Sequence, residues 1–179
     1  MQGLSLSADK SKLMCAFRNH NKAGVMVLAT IDLSVQKADL IEASTDSRLI
    51  STKSNGVDKW FSFGEIRCAD PHGCIFIVRT LQDSFEIVTR YYRHSSATGS
   101  LIARYGVFTA TSLFIGSTNH EGNWNNAVSR GMHLITQLSS DDLSVKLNFV
   151  LGNTQEAPIF YLWASTISAD EKSLFFASD

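Results

Sequence analysis

The chain has 179 residues, 44% of them hydrophobic and 18% charged, with 16 Lys and Arg against 17 Asp and Glu for a net charge of -1. That length carries one domain with a substantial core, and the composition excludes the disordered class. The basic residues are scattered, so no stripe points to nucleic acid, and no apolar run reaches the ~20 residues of a membrane-spanning helix.

The opening Met1-Gln2-Gly3-Leu4-Ser5-Leu6-Ser7-Ala8 lacks the basic start and apolar block of a secretory leader. Two prolines, eleven glycines and many Phe, Val, Ile and Thr residues between polar clusters describe short strands joined by turns.

The first predicted element is a hairpin over Leu4 to Phe17, turning at Ala8-Asp9-Lys10-Ser11-Lys12. Gly24 to Leu33 reads as a buried strand. Val35 to Ala43 alternates poorly and fits a strand or a helix, and Arg48 to Thr52 adds a short strand. A second unit opens at Trp60-Phe61-Ser62-Phe63, turns between Cys68 and Cys74, and continues through Ile75 to Leu81 and Ser84 to Tyr92. Ser100 to Gly106 follows. A third unit starts at Val107 and holds strands over Ser112 to Ser117, Gly131 to Leu138 and Ser144 to Gly152. Ile159 to Trp163 leads into a last hairpin.

That last hairpin, Ile167-Ser168-Ala169-Asp170-Glu171-Lys172-Ser173-Leu174, repeats Leu6-Ser7-Ala8-Asp9-Lys10-Ser11-Lys12-Leu13. A weaker copy runs from Arg67 to Val78 through Cys68-Ala69-Asp70. Recurrence of one hairpin at intervals of roughly 54 residues, about four strands to a unit, is the pattern of propeller blades.

Ser112-Leu113-Phe114-Ile115-Gly116-Ser117-Thr118, Met132 to Leu138 and Phe149-Val150-Leu151-Gly152 match, in order, three strands of a known repeat. The chain resembles the SBBP/YVTN type of β-propeller repeat proteins. It departs from them at Ala110, where the turn Asp is missing, and over residues 34 to 60. The resemblance implies an all-β fold of propeller-like blades, each of four antiparallel strands. About three blades plus the start of a fourth are expected, in one segment over 1–179 with starts near 4, 61, 107 and 165. Such a count does not close a ring, so the expected segment belongs to a longer chain or is completed by another one.

Chemistry is sparse. The most site-like stretch is 119–126, where His120, Glu121, Asn123 and Trp124 offer an imidazole, a carboxylate, an amide and an indole suited to a sugar ring. The five histidines are dispersed without metal-ligand spacing, and no nucleophile elbow or phosphate cradle occurs. No cofactor, metal or catalytic residue is expected. Cys68 and Cys74 flank a turn and read either as two thiols half-buried in strands or as a disulfide, which would favour an oxidising, extracellular setting; the compartment is otherwise open.

The leading expectation is therefore a non-enzymatic structural module that meets protein partners in an oligomer or filament. The alternative is a carbohydrate- or ligand-binding, lectin-like domain using the 119–126 loop. A third is a hydrolase or lyase propeller whose catalytic groups lie outside this segment.

Overall fold

Alternation of apolar and polar residues gives strands throughout. In a computed structural model, residues 3–41, 46–67, 73–93, 100–109, 111–120, 131–151 and 162–178 are described, and they contain strands and no helix. In chain order these are β1 (Gly3–Leu6), β2 (Lys12–Asn19), β3 (Lys22–Ala29), β4 (Val35–Leu40), β5 (Ser47–Ser54), β6 (Lys59–Arg67) and β7 (Gly73–Leu81). Then come β8 (Ile87–Tyr92), β9 (Ser100–Phe108), β10 (Ser112–His120), β11 (Gly131–Ser139), β12 (Val145–Leu151), β13 (Leu162–Ile167) and β14 (Leu174–Ser178).

They form three four-stranded antiparallel sheets of consecutive strands, β1–β4, β5–β8 and β9–β12, and a two-stranded sheet, β13–β14. The first strands follow one another in space: β1 lies against β5, β5 against β9, and β9 against β13. Gly3 permits the first approach, because a Cβ there would stand 2.6 Å from the Thr52 amide nitrogen.

Side chains of a strand point alternately to its two faces, so a sheet between two others needs both faces apolar. The second sheet meets that demand. From β6, Trp60 and Ile66 join Met14, Ala16, Val25 and Val27 of the first sheet, with Cys74, Phe76 and Val78 of β7 in the same cluster. The intervening Phe61, Phe63, Ile75 and Ile77 join Leu101, Ala103, Leu113, Ile115 and Leu134 of the third sheet.

Three sequence expectations are refined. The stretch Val35–Leu40, open between strand and helix, is β4. The segment Ser47–Ser54 is the first strand of the second sheet, so Trp60 falls near the start of its second strand; likewise Val107 falls late in β9 rather than at the start of a sheet. The weaker hairpin copy at Arg67 to Val78 joins the second and third strands of its sheet. The outer copies join first and second strands, with Leu6 opposite Leu13 and Ile167 opposite Leu174.

The two outer copies match atom for atom. The amides of Ser7 and Ser168 donate to the carbonyls of Lys12 and Ser173, and those of Lys10 and Glu171 to the carbonyls of Ser7 and Ser168. The Ser7 and Ser168 hydroxyls donate to Asp9 and Asp170. These serine hydroxyls are the main reason both carboxyls sit below the ordinary 3.8, Asp9 far below it.

Packing between the second and third sheets is tight at Gly106, where a Cβ would come 2.9 Å from the ring of Phe63, itself fully buried. Gly106→Ala is expected to displace that ring and lower stability by about 1–3 kcal/mol, read from urea unfolding midpoints at unchanged slope.

Candidate functional site

The turn between the third and fourth strands is the same in all three large sheets. The amides of Leu33, Phe85 and Leu143 donate to the carbonyls of Ala29, Leu81 and Ser139, and the amides of Ala29, Leu81 and Ser139 donate to the carbonyls of Ser34, Glu86 and Ser144. Asp32, Ser84 and Asp142 brace each turn by accepting from the backbone amide two residues on, at 2.9, 3.3 and 3.0 Å.

Leu33, Phe85 and Leu143 have φ of 57°, 58° and 61°. Bulky side chains avoid this left-handed region, at a cost of about 1–2 kcal/mol per residue. Packing explains two of the three. Phe85 is packed against the cluster that the second sheet shares with the first. Leu143 is buried in the cluster that the third shares with the second, and its carbonyl accepts a hydrogen bond from the Tyr92 hydroxyl. Burial pushes that tyrosine up to about 12.

A lysine completes each joint. Lys12 opens β2; it donates to the Gln82 carbonyl at 2.8 Å, stands 3.8 Å from Asp83, and lies 5.3 Å from the centroid of the Phe85 ring. Lys59 opens β6 and donates to Asp141 at 2.8 Å. Each joint therefore has one sheet offering a turn with an apolar plug, and the preceding sheet receiving it beside a lysine. Further contacts secure the first joint: the Trp60 indole donates to the Leu6 carbonyl at 3.2 Å, and Gln82 accepts from the Ala8 amide at 3.1 Å.

On the first sheet the plug has nothing to enter. Leu33 is 61% exposed, and Ile31, at the turn position held by Asp83 and Asp141 in the other sheets, is 94% exposed. Cross-strand partners share a face. The register Leu6–Leu13–Leu28–Val35, Leu4–Cys15–Met26–Ala38 and Phe17–Gly24–Leu40 therefore lays one continuous apolar face on the side away from the second sheet. Leu4, Leu6, Val35 and Leu40 on it are exposed. The matching position in the second sheet is the buried hydroxyl pair Thr52 and Ser62, 2.9 Å apart. The uncovered face, with Leu4 and Cys15 there, is more apolar than its covered counterpart.

Of the residues singled out from sequence, His120 ends β10, opposite Ser100 and Gly131. Glu121, Asn123 and Trp124 lie outside the described residues. Cys74 is disulfide-bonded, whereas Cys68 lies outside the described residues and Cys15 is a buried free thiol whose pKa is raised by burial. Asp141 and Asp142 form the β11–β12 turn. Among the described residues, no three His, Cys, Asp or Glu side chains are grouped as a metal would require, and no helix is long and apolar enough to cross a membrane. No protein-family model and no curated protein matches this chain.

The sequence reading missed the apolar plugs. Their only trace in the sequence is Asp-Leu-Ser at 32–34 and again at 142–144, each just past the end of a strand.

Two outcomes follow from the joint. Leu143→Ala should cost about 2–4 kcal/mol, as a buried leucine does, whereas Leu33→Ala at the equivalent turn should stay within about 0.5 kcal/mol in the isolated chain, both from chemical unfolding. Asp141 is held below 3.8 chiefly by its hydrogen bond from Lys59. A carboxylate lowered in the folded state adds stability above its unfolded pKa and loses it as pH falls through the folded value. Lys59→Met should return the Asp141 midpoint toward 3.8 in an NMR titration, and remove a small, salt-sensitive part of stability that the parent retains above about pH 4.

Proposed function

We propose that the chain is a structural, protein-interaction module whose sheets are propeller blades and whose work is assembly rather than catalysis. Support comes from the serial order of the sheets: each is a four-stranded meander, first strands lie next to first strands, and each face is closed by the turn plug of the following sheet. Blades around an axis are packed in this manner. The observation that carries the assembly reading is the apolar outer face of the first sheet, with Leu33 and Ile31 standing exposed above it. Contiguous exposed apolar surface of this kind marks interaction sites.

Protein partners are expected, as an oligomer or a filament, with no catalytic residue and no cofactor drawn on. The bonded Cys74 favours an oxidising surrounding.

Cross-linking mass spectrometry on the chain in its native extract, paired with light-scattering mass measurement of the purified chain, tests this reading. Links from first-sheet residues such as Lys37 to a second copy or another protein are expected. A chain that stays monomeric and links only to itself overturns it.

A further inference from the structure

We propose that the uncovered face of the first sheet is the seat of a second copy of this chain, whose β13–β14 hairpin lies against it head to tail. The proposal deepens the interaction-module reading and rests on it.

The chain carries the same joint twice within itself, and the two halves of that joint are also exposed, one on the first sheet and the other on β13–β14. One half is the receiving surface: Met14 and Ala16 of β2 receive the plug Phe85, and Phe61 and Phe63 of β6 receive Leu143. The pairs Leu6–Leu13 and Ile167–Leu174 put β2 and β14 in one register, so Met14 corresponds to Phe175 and Ala16 to Ala177. Phe175 is 55% exposed, Ala177 is exposed too, and Thr166 opposite Phe175 shares the open face. The plug half is the turn and outer face of the first sheet, with Leu33 61% exposed. Both are exposed within one chain, so neither covers the other there.

Leu33 makes the second argument. A leucine at φ 57° is strained, and its two counterparts, Phe85 and Leu143, offset that strain by entering a neighbouring sheet. In the single chain Leu33 has no such return; against a second copy it regains one.

Charge agrees as well. Lys12 and Lys59 meet Asp83 and Asp141 at the internal joints. At the ends, the lysine position is Ser173, whose carbonyl receives the Ser168 amide just as the Lys12 carbonyl receives that of Ser7, and the aspartate position is Ile31. With Ser173 and Ile31 at these positions, neither side of the joint between copies presents a charge that needs the ion pair found at the internal joints. Such a contact is heterologous and either closes or extends.

The test is sedimentation velocity of the full chain over a dilution series, as parent, as Leu33→Asp, as Phe175→Asp, and as an equimolar mixture of the two variants. Aspartate tolerates the left-handed region and both sites are exposed, so the variants should fold; circular dichroism and thermal melting check this, with Leu4→Asp replacing Leu33→Asp should that variant unfold. The parent is expected to associate, and each variant to weaken association by about tenfold or more, since a carboxylate would be buried in an apolar contact. The mixture retains one intact joint and should form dimers and nothing larger. If either variant associates as the parent does, or the mixture behaves as the separate variants do, the head-to-tail joint is overturned while the interaction module stands. A chain that is monomeric throughout yet cross-linked to a different protein also overturns the second copy as occupant; monomeric and unlinked, it removes both readings.

Discussion

Everything in this molecule depends on a bulky apolar side chain being held in a left-handed turn so that it reaches the sheet before its own. The conformation is unfavourable in isolation. Leu143 nonetheless adopts it at φ 61° and is 1% exposed, because there the side chain leaves the plane of its own sheet and closes the edge of the next interface. The bracing carboxylate of Asp142, accepting from the Ser144 amide and hydroxyl, holds the turn with groups from the turn itself. Local hydrogen bonding thus sets the direction of the plug, and burial makes the strain tolerable.

The second sheet shows why this constraint organises the rest. Its β6 and β7 strands are apolar on both sides, Trp60 and Phe76 toward the first sheet, Phe61 and Ile77 toward the third. Such strands have no solvent face, and the sheet is stable only when enclosed. Enclosure between successive sheets calls for a repeating contact at one end, which the plug and the lysine supply. The lysine's share is the smaller one: Asp141 is largely exposed, and pairs of that kind contribute little in water. Apolar burial decides the joint, and the ion pair sets its alignment.

How much of this the sequence discloses varies by element, for physical reasons. The Ser-Ala-Asp hairpins are legible because serine and aspartate build the turn from their own side chains, at positions two residues apart. β6 and β7 are legible as continuous apolar runs. β4 is not, because five of its six residues are exposed and no buried face imposes alternation. β5 looks shorter in the sequence than it is because its buried positions include Ser47 and Thr52; Trp60 is the more conspicuous residue and draws the start of the second unit one strand late. The plugs are hidden most deeply. A left-handed turn position is expected to hold glycine or asparagine, and leucine or phenylalanine there reads as part of a strand until the neighbouring sheet is in place. Of the candidate ligand residues on the 119–126 loop, His120 ends β10 and Glu121, Asn123 and Trp124 lie outside the described residues, while the exposed apolar surface lies on a sheet face.

The uncovered face of the first sheet carries the same logic one step further. An apolar face can be made harmless by polar substitution at little structural cost, as edge strands commonly are. Here the substitution runs the other way. Where the enclosed second sheet carries the Thr52 and Ser62 hydroxyls, the open first sheet carries Leu4 and Cys15, and where the other turns carry Asp83 and Asp141 it carries Ile31. A face that carries apolar residues at positions where the enclosed second sheet carries hydroxyls is suited to burial. The strain at Leu33 points the same way, since a turn with no neighbour to enter would be relieved by glycine, and the residue there is leucine.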